Sequence, residues 1–273
     1  MTCVRDLLGD TGLPRLEAQM LLQHALGVPR SWLIAHDTDV LAADDTAAFH
    51  ALEKRRLLGE PMAYILGVRE FMGHDFQVSS SVLIPRPDTE VLVETAIQFI
   101  AQREPAATRV LDLGTGSGAI AISIALACPY ATVVATDSSA EALPVAQANA
   151  SRLGARVAFF QGSWYGALPN AYKPFDLIVS NPPYIQVNDP HLVRGDLRYE
   201  PSGALTDGAD GLQALVQIID GAKAWLAPEG GVWLEHGWDQ AQAVRALLVK
   251  AGFNRVESRV DLAGIERISG GYL

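Results

Sequence analysis

The sequence predicts an α/β protein: a helical N-terminal segment, a hairpin connector, and a mostly parallel sheet whose last strands turn antiparallel. Two patterns carry that prediction. From about Arg109 onward, short apolar runs alternate with helix-length stretches, as in a parallel sheet covered on both faces. Near the C-terminus, two strand candidates stand only a few residues apart, too close for a parallel crossover.

The elements follow in chain order. Pro14 opens an apolar-periodic segment through Leu16, Leu21, Leu22 and Leu26, and Gly27 closes it. A second helical segment runs from about Asp44 to Leu58 and stops at Gly59. Strand-like alternation at Phe76, Val78, Val82 and Ile84 reads as a hairpin or connector. Pro85-Arg86-Pro87 is stiff punctuation, after which Asp88 is placed to cap a helix through Val91 and Ile97. Strands are expected at Arg109–Leu113, Thr132–Asp137, Arg156–Phe160, Phe175–Ser180 and Gly231–His236. Helices are expected at Ala119–Cys128, Ala140–Leu153, Leu212–Leu226 and Gln240–Ala251. Asn254–Arg259 and Glu266–Ser269 form the closing antiparallel pair.

Composition narrows the class. The 273 residues are 49% hydrophobic, enough for a substantial core. They carry 31 acidic against 21 basic side chains, a net charge of −10, which argues against broad affinity for nucleic acid. Cys3 and Cys128 are too few for a disulfide framework and lack metal-ligand spacing, so no metal is expected. The N-terminus has no signal pattern, and no apolar run approaches the roughly 20 residues a bilayer requires. A cytoplasmic protein without membrane attachment is the expectation.

Two motifs carry chemistry. Val110-Leu111-Asp112-Leu113 runs into Gly114-Thr115-Gly116-Ser117-Gly118 and then a helix. Such a loop lets a ligand approach the backbone closely, and the helix start offers free N–H groups. Asp137 ends the next strand about 20 residues on, where a carboxylate can bind ribose hydroxyls. A nucleoside-containing cofactor follows. Gly114, Gly116 and Ala119 also fit a relaxed dinucleotide fingerprint. Asp112, however, suits a positively charged group such as a sulfonium with an amino-acid tail better than a pyrophosphate.

The second motif is Asn181-Pro182-Pro183-Tyr184. Neither proline has an N–H, so the strand before them stops and the backbone offers only carbonyl acceptors. Asn181 adds an acceptor oxygen and Tyr184 a flat face. Acceptors beside a flat face suit a planar –NH₂ group, either a carboxamide or a nucleobase amine. Such a turn has no part in hydride transfer. His191, Asp189 and His236 read as surface or structural residues, and Glu90 as either a helix-start carboxylate or a site contact.

Together with longer stretches, these residues resemble the release factor glutamine methyltransferases (PrmC/HemK). The likeness runs from Glu60 onward: Glu60 to Gly67, Glu70-Phe71-Met72-Gly73, Leu83 to Glu90, Asp112 to Gly118, Asn181 to Tyr184, Arg198-Tyr199-Glu200-Pro201 and Leu234-Glu235-His236-Gly237. The Asn-Pro-Pro-Tyr turn alone is shared with amino-methylating DNA enzymes; joined to the proline-rich connector it points to glutamine. The resemblance implies a seven-stranded, Rossmann-like class I methyltransferase domain binding S-adenosyl-L-methionine. On that reading residues 1–72 form a helical substrate-binding domain, 73–87 the hairpin connector and 88–273 the methyltransferase domain. Gly114, Thr115, Gly116, Ser117 and Gly118 would wrap the methionine part, Asp137 the ribose, and Trp164 the adenine. Asn181, Pro182, Pro183 and Tyr184 would hold the glutamine of a Gly-Gly-Gln loop, with Asn181, Pro182 and Tyr184 catalytic and Asn181 also near the cofactor. Ser163 stands where family members can carry an acidic residue. The implied partner is a class-one peptide chain release factor, met by a monomer that does not bind DNA directly.

Overall fold

The computed structural model describes residues 2–103 and 108–273. Packing divides them into two units, Met1–Val68 and Arg69–Leu273.

The smaller unit contains helices α1 (Val4–Gly9), α2 (Arg15–Leu26), α3 (Arg30–Ala35), α4 (Ala43–Leu57) and α5 (Met62–Leu66). As the sequence predicts, α2 follows Pro14 and ends at Gly27, whose φ of 65° is left-handed and whose N–H closes on the Gln23 carbonyl. Ala18, Leu21 and Leu22 of α2 pack with Val4, Leu7, Leu33, Phe49 and Ile65 in one apolar core. Arg56 of α4 reaches Glu17 of α2 at 2.7 Å. Helices α1, α3 and α5 are too short for a 3.6-residue period to show, which is why the pattern named only the longer two.

The larger unit opens with a hairpin, β1 (Val68–Phe71) and β2 (His74–Gln77). Met72 and Gly73 between them have φ of 52° and 76°, as a type I′ turn demands. The expected alternation at Val78, Val82 and Ile84 is not a strand. Those side chains are buried, but Val82 N–H turns back onto the Ser79 carbonyl and breaks the extended run.

There follow α6 (Glu90–Ala101), β3 (Arg109–Leu113), α7 (Ala119–Ala127), β4 (Thr132–Asp137), α8 (Ala142–Leu153), β5 (Val157–Gln161) and β6 (Phe175–Ser180). Then come α9 (Ser202–Leu205), α10 (Gln213–Ala222), β7 (Leu226–Glu235), α11 (Ala241–Lys250), β8 (Asn254–Val260) and β9 (Glu266–Tyr272). Asp88 does not cap α6. A 3₁₀ turn at Pro87–Thr89 makes Thr89 the first residue before the helix, and the Asp88 carboxylate pairs with Arg267 at 3.1 Å instead.

The sheet order is β5-β4-β3-β6-β7-β9-β8, seven strands, with β9 antiparallel to both its neighbours. This is the expected class I methyltransferase arrangement. Alternate strand residues feed two cores. Val110, Val133, Ala135, Leu177 and Val179 face α6 and α7, while Leu111, Leu113, Val134, Ile178 and Leu234 face α10 and α11. Each fully buried Val, Leu or Ile among them contributes about 1.5–3 kcal/mol of transfer free energy. The chain builds outward through β3, β4 and β5, then returns to place β6 on the other side of β3. The carboxyl ends of β3 and β6 therefore diverge at the switch point, where open α/β sheets leave a crevice.

Candidate active site

That crevice is a cavity of about 340 Å³. The loop after β3 forms one wall. Gly114 and Thr115 N–H groups both donate to the Thr136 carbonyl at 2.9 Å, which pins the loop to the end of β4. Asp137 fixes it further: Oδ2 accepts from Gly116 N–H and Oδ1 from Ser139 N–H, each at 2.8 Å. Gly118 starts α7 with φ of 84°, and an added Cβ would lie 2.6 Å from Ile122 Cδ1 and 3.3 Å from Ala146 Cβ. Gly116, with φ of 56°, has nothing within 4 Å of such a Cβ. Glycine is needed below for packing and above for open space.

Asp112 corrects one expectation. It is fully buried and absent from the cavity wall, so it meets no ligand there. It accepts from the Thr115 hydroxyl at 2.7 Å, and its other oxygen, Oδ1, makes no hydrogen bond of regular geometry. Burial pushes its carboxyl up to about 7, and the negative Asp137 nearby adds to the rise. Its influence on the cavity runs through the loop it holds.

The opposite wall begins where β6 ends. Asn181 and Pro183 line the cavity; Pro182 is buried behind them, and Tyr184 does not reach this wall. Asn181 Nδ2 donates to Thr89 Oγ1 at 3.2 Å. The Tyr184 hydroxyl donates to Glu235 Oε1 at 3.1 Å, and its carbonyl accepts from Gln240 Nε2 at 3.1 Å. Trp164 closes the cavity from the β5 side. Its Cζ3 lies 3.4 Å from where a Gly114 Cβ would stand, and its indole N–H donates to Gln217 Oε1 at 2.9 Å. Its φ of 45° is unusual for a bulky residue, so the surroundings hold it there.

Comparison with known proteins decides the family. Residues 2–67 match the PrmC N-terminal domain, and residues 88–194 match the methyltransferase small domain. A release factor glutamine methyltransferase from Bordetella pertussis is 63% identical over all of both chains. One from Burkholderia pseudomallei is 52% identical over 98% of this chain and 95% of its own. The chain belongs to the release factor glutamine methyltransferase family. It is a methyltransferase, and S-adenosylmethionine is its methyl donor. A solved methyltransferase from Pyrococcus furiosus, 19% identical, shares the fold with a TM-score of 0.54 over 81% of this chain and 96% of its own.

The residues of this methyltransferase fit that donor. Gly116 leaves open space at the wall, and Asp137 stands beside it. Of the residues singled out in the sequence, the structure brings Gly114, Thr115, Gly116, Ser117, Asp137, Trp164, Asn181 and Pro183 to one cavity. His191 and Asp189 bond each other on the surface, and buried His236 bonds Ser269 and the Gly237 carbonyl. Glu90 accepts from Met72 N–H at 3.0 Å and does not line the cavity.

Several supporting residues had no role in the sequence reading. Arg86 lines the cavity and pairs with buried Glu200, which also accepts from Ile84 N–H at 3.0 Å. Buried Asn149 takes the Gln77 N–H on its oxygen and gives its nitrogen to the Gln77 and Ser117 carbonyls, stitching the hairpin to the glycine loop. A signal for Asn149 was present. It is the one polar residue among Ala142, Leu143, Ala146 and Ala150 on the buried face of α8.

Proposed function

We propose that this chain methylates the side-chain amide nitrogen of the glutamine in the Gly-Gly-Gln motif of class-one peptide chain release factors. The observation that supports this reading best is that Asn181 and Pro183 line the same cavity as the glycine loop and Asp137. A planar –NH₂ and a nucleoside-bearing donor can thereby meet.

When bound, S-adenosylmethionine supplies the methyl group from its sulfonium. Gly114 to Gly118 wrap the methionine part, Asp137 holds the ribose and Trp164 lies against the adenine. An amide nitrogen is a poor nucleophile because its lone pair is delocalised into the carbonyl. Asn181 Oδ1 and the Pro182 carbonyl accept the two amide hydrogens, fix the group and add electron density to it. Pro183 keeps this turn rigid, and Tyr184, tied to Glu235 and Gln240, braces it from behind. Orientation of this kind can be worth about 7–11 kcal/mol. No general base is needed before transfer, because the alkylated amide nitrogen is strongly acidic and gives its proton to water.

Residues 1–72 hold the release factor, 73–87 connect, and 88–273 carry out transfer. The protein acts as a cytoplasmic monomer without DNA or membrane attachment. Its charge of −10 supports the first exclusion. No helix among the described residues is long and apolar enough to cross a membrane. The test is transfer of labelled methyl to purified release factor, to its Gln→Ala variant at the Gly-Gly-Gln motif, and to DNA. Incorporation is expected into the first alone; label on the variant or on DNA would overturn the reading.

A further inference from the structure

Glu235 ends β7 beneath the Asn-Pro-Pro-Tyr turn, and nothing in the reaction described so far uses it. Strands β6 and β7 run parallel with Ser180 opposite Leu234, so Glu235 stands level with the start of the turn. It is 1% exposed, and its Oε2 makes no hydrogen bond of regular geometry. A buried carboxylate so sparsely bonded costs stability, and a buried amide would suit the same site at lower cost. Stability alone does not explain its presence.

Its neighbours supply an explanation. The Tyr184 hydroxyl donates to Oε1 at 3.1 Å. Thr89 and Tyr184 both oppose the rise that burial imposes on the Glu235 carboxyl. Thr89 Oγ1 accepts from Asn181 Nδ2 at 3.2 Å, which leaves its own proton free for a second acceptor. The polarity of the chain is then set from below: amide N–H to hydroxyl oxygen, hydroxyl proton to carboxylate. We infer that Glu235 is a positioning residue that anchors both ends of the turn, Tyr184 directly and Asn181 through Thr89, so that Asn181 presents its oxygen to the acceptor amide.

The alternative orientation shows what is at stake. If the Thr89 proton pointed at Asn181 Oδ1, the Asn181 –NH₂ would face the cavity. A donor would then meet the substrate's own –NH₂, and the clamp would fail. Once ionised, the Glu235 carboxylate draws the Thr89 proton away and blocks that flip. A glutamine there can donate to Thr89 and permits it.

This inference rests on the reading of Asn181 as the acceptor of the substrate amide. The test uses full-length Glu235→Gln, Glu235→Asp, Thr89→Val, the Gln/Val double variant and Asn181→Ala, with release factor as substrate. Misorientation of one clamp group is expected to lower kcat about 10²-fold in E235Q and T89V, with cofactor affinity unchanged. The double variant should be no slower than either single one, because both break one relay. E235D should recover part of the loss. In cofactor-free enzyme, the Asn181 side-chain amide resonances should move in E235Q as they do in T89V. If E235Q does not fold, T89V and its amide resonances decide alone. Should N181A keep wild-type turnover, the functional reading itself is wrong. Should N181A be inactive while folded E235Q and T89V stay within about threefold of wild type, or lose activity additively, the relay is wrong and the functional reading stands.

Discussion

The two walls of the cavity are built from different materials. The glycine-loop wall is mostly backbone: Gly114, Thr115 and Gly116 N–H groups are fixed on a carbonyl and a carboxylate, and side chains matter by being absent. The wall at the end of β6 is made of side chains, Asn181 bonded to Thr89 and beside Pro183, and behind it Tyr184 is bonded to Glu235. Each wall also rests on one buried carboxyl pushed up to about 7, Asp112 under the loop and Glu235 under the turn. Binding a cofactor in many related reactions needs only shape and backbone dipoles. Choosing one nitrogen needs a directed acceptor, which backbone alone supplies poorly.

If that division holds, changes on one wall should alter turnover and changes on the other should alter cofactor affinity. The largest expected effect is Asn181→Ala. Loss of one preorganised group of this type costs about 10²–10³-fold in kcat. Calorimetry should find S-adenosylmethionine affinity near that of the wild type. A large loss of cofactor affinity in this variant would break the comparison.

Next comes a pH effect on folding from the acceptor wall. Burial raises the Glu235 carboxyl from 4.5 to about 7, with Asp88 adding to the rise and Thr89, Tyr184 and Arg267 opposing it. Between those values the folded state holds a proton that the unfolded state has lost. Stability from this group is therefore fully present below about pH 4.5, falls as pH rises and levels off above about pH 7. The total is on the order of 3 kcal/mol. Denaturant melts from pH 5 to 8 should show a shallower decline in Glu235→Gln than in the wild type. Equal slopes would mean that Glu235 titrates normally.

On the loop wall, Asp137→Ala removes a carboxylate that also anchors Gly116 and Ser139. Charge-assisted hydrogen bonds of this kind are worth about 1.5–3 kcal/mol each, so cofactor affinity should fall about 10–10²-fold. Turnover at saturating cofactor should fall far less. A variant with normal affinity but collapsed kcat would place Asp137 with the acceptor wall instead.

The two walls were also unequally legible in the sequence. The loop wall was readable because strand, glycines and a following acid are contiguous or one βαβ unit apart. The Asn-Pro-Pro-Tyr turn was readable as the abrupt end of β6, because two prolines cannot continue a strand's ladder. The sheet followed from alternation, down to the antiparallel β8 and β9. What stayed hidden was long-range. Thr89 meets Asn181 across 92 positions, Asn149 meets Gln77 across 72, and Glu200 meets Ile84 across 116. Asp112 misled for the same reason. Its spacing before the glycines suggested a ligand contact, but only the register of β3 between β4 and β6 shows it sealed inside.

The smallest effect tests how Trp164 is held. Its indole N–H donates to Gln217 on the exposed face of the protein, and its ring edge packs beside Gly114. A hydrogen bond in an exposed setting contributes at most about 1 kcal/mol, because water replaces it. Its left-handed φ, by contrast, is imposed by the backbone of the turn and does not depend on Gln217. Gln217→Ala should therefore loosen the ring without unseating it. Cofactor affinity should weaken no more than about fivefold, with kcat unchanged. Trp164 fluorescence is not unique among five tryptophans, so the cleaner readout is calorimetric affinity, compared with Trp164→Ala. If Gln217→Ala matched Trp164→Ala, the orientation of the ring would depend on that one bond, and the loop wall too would prove to be side-chain work.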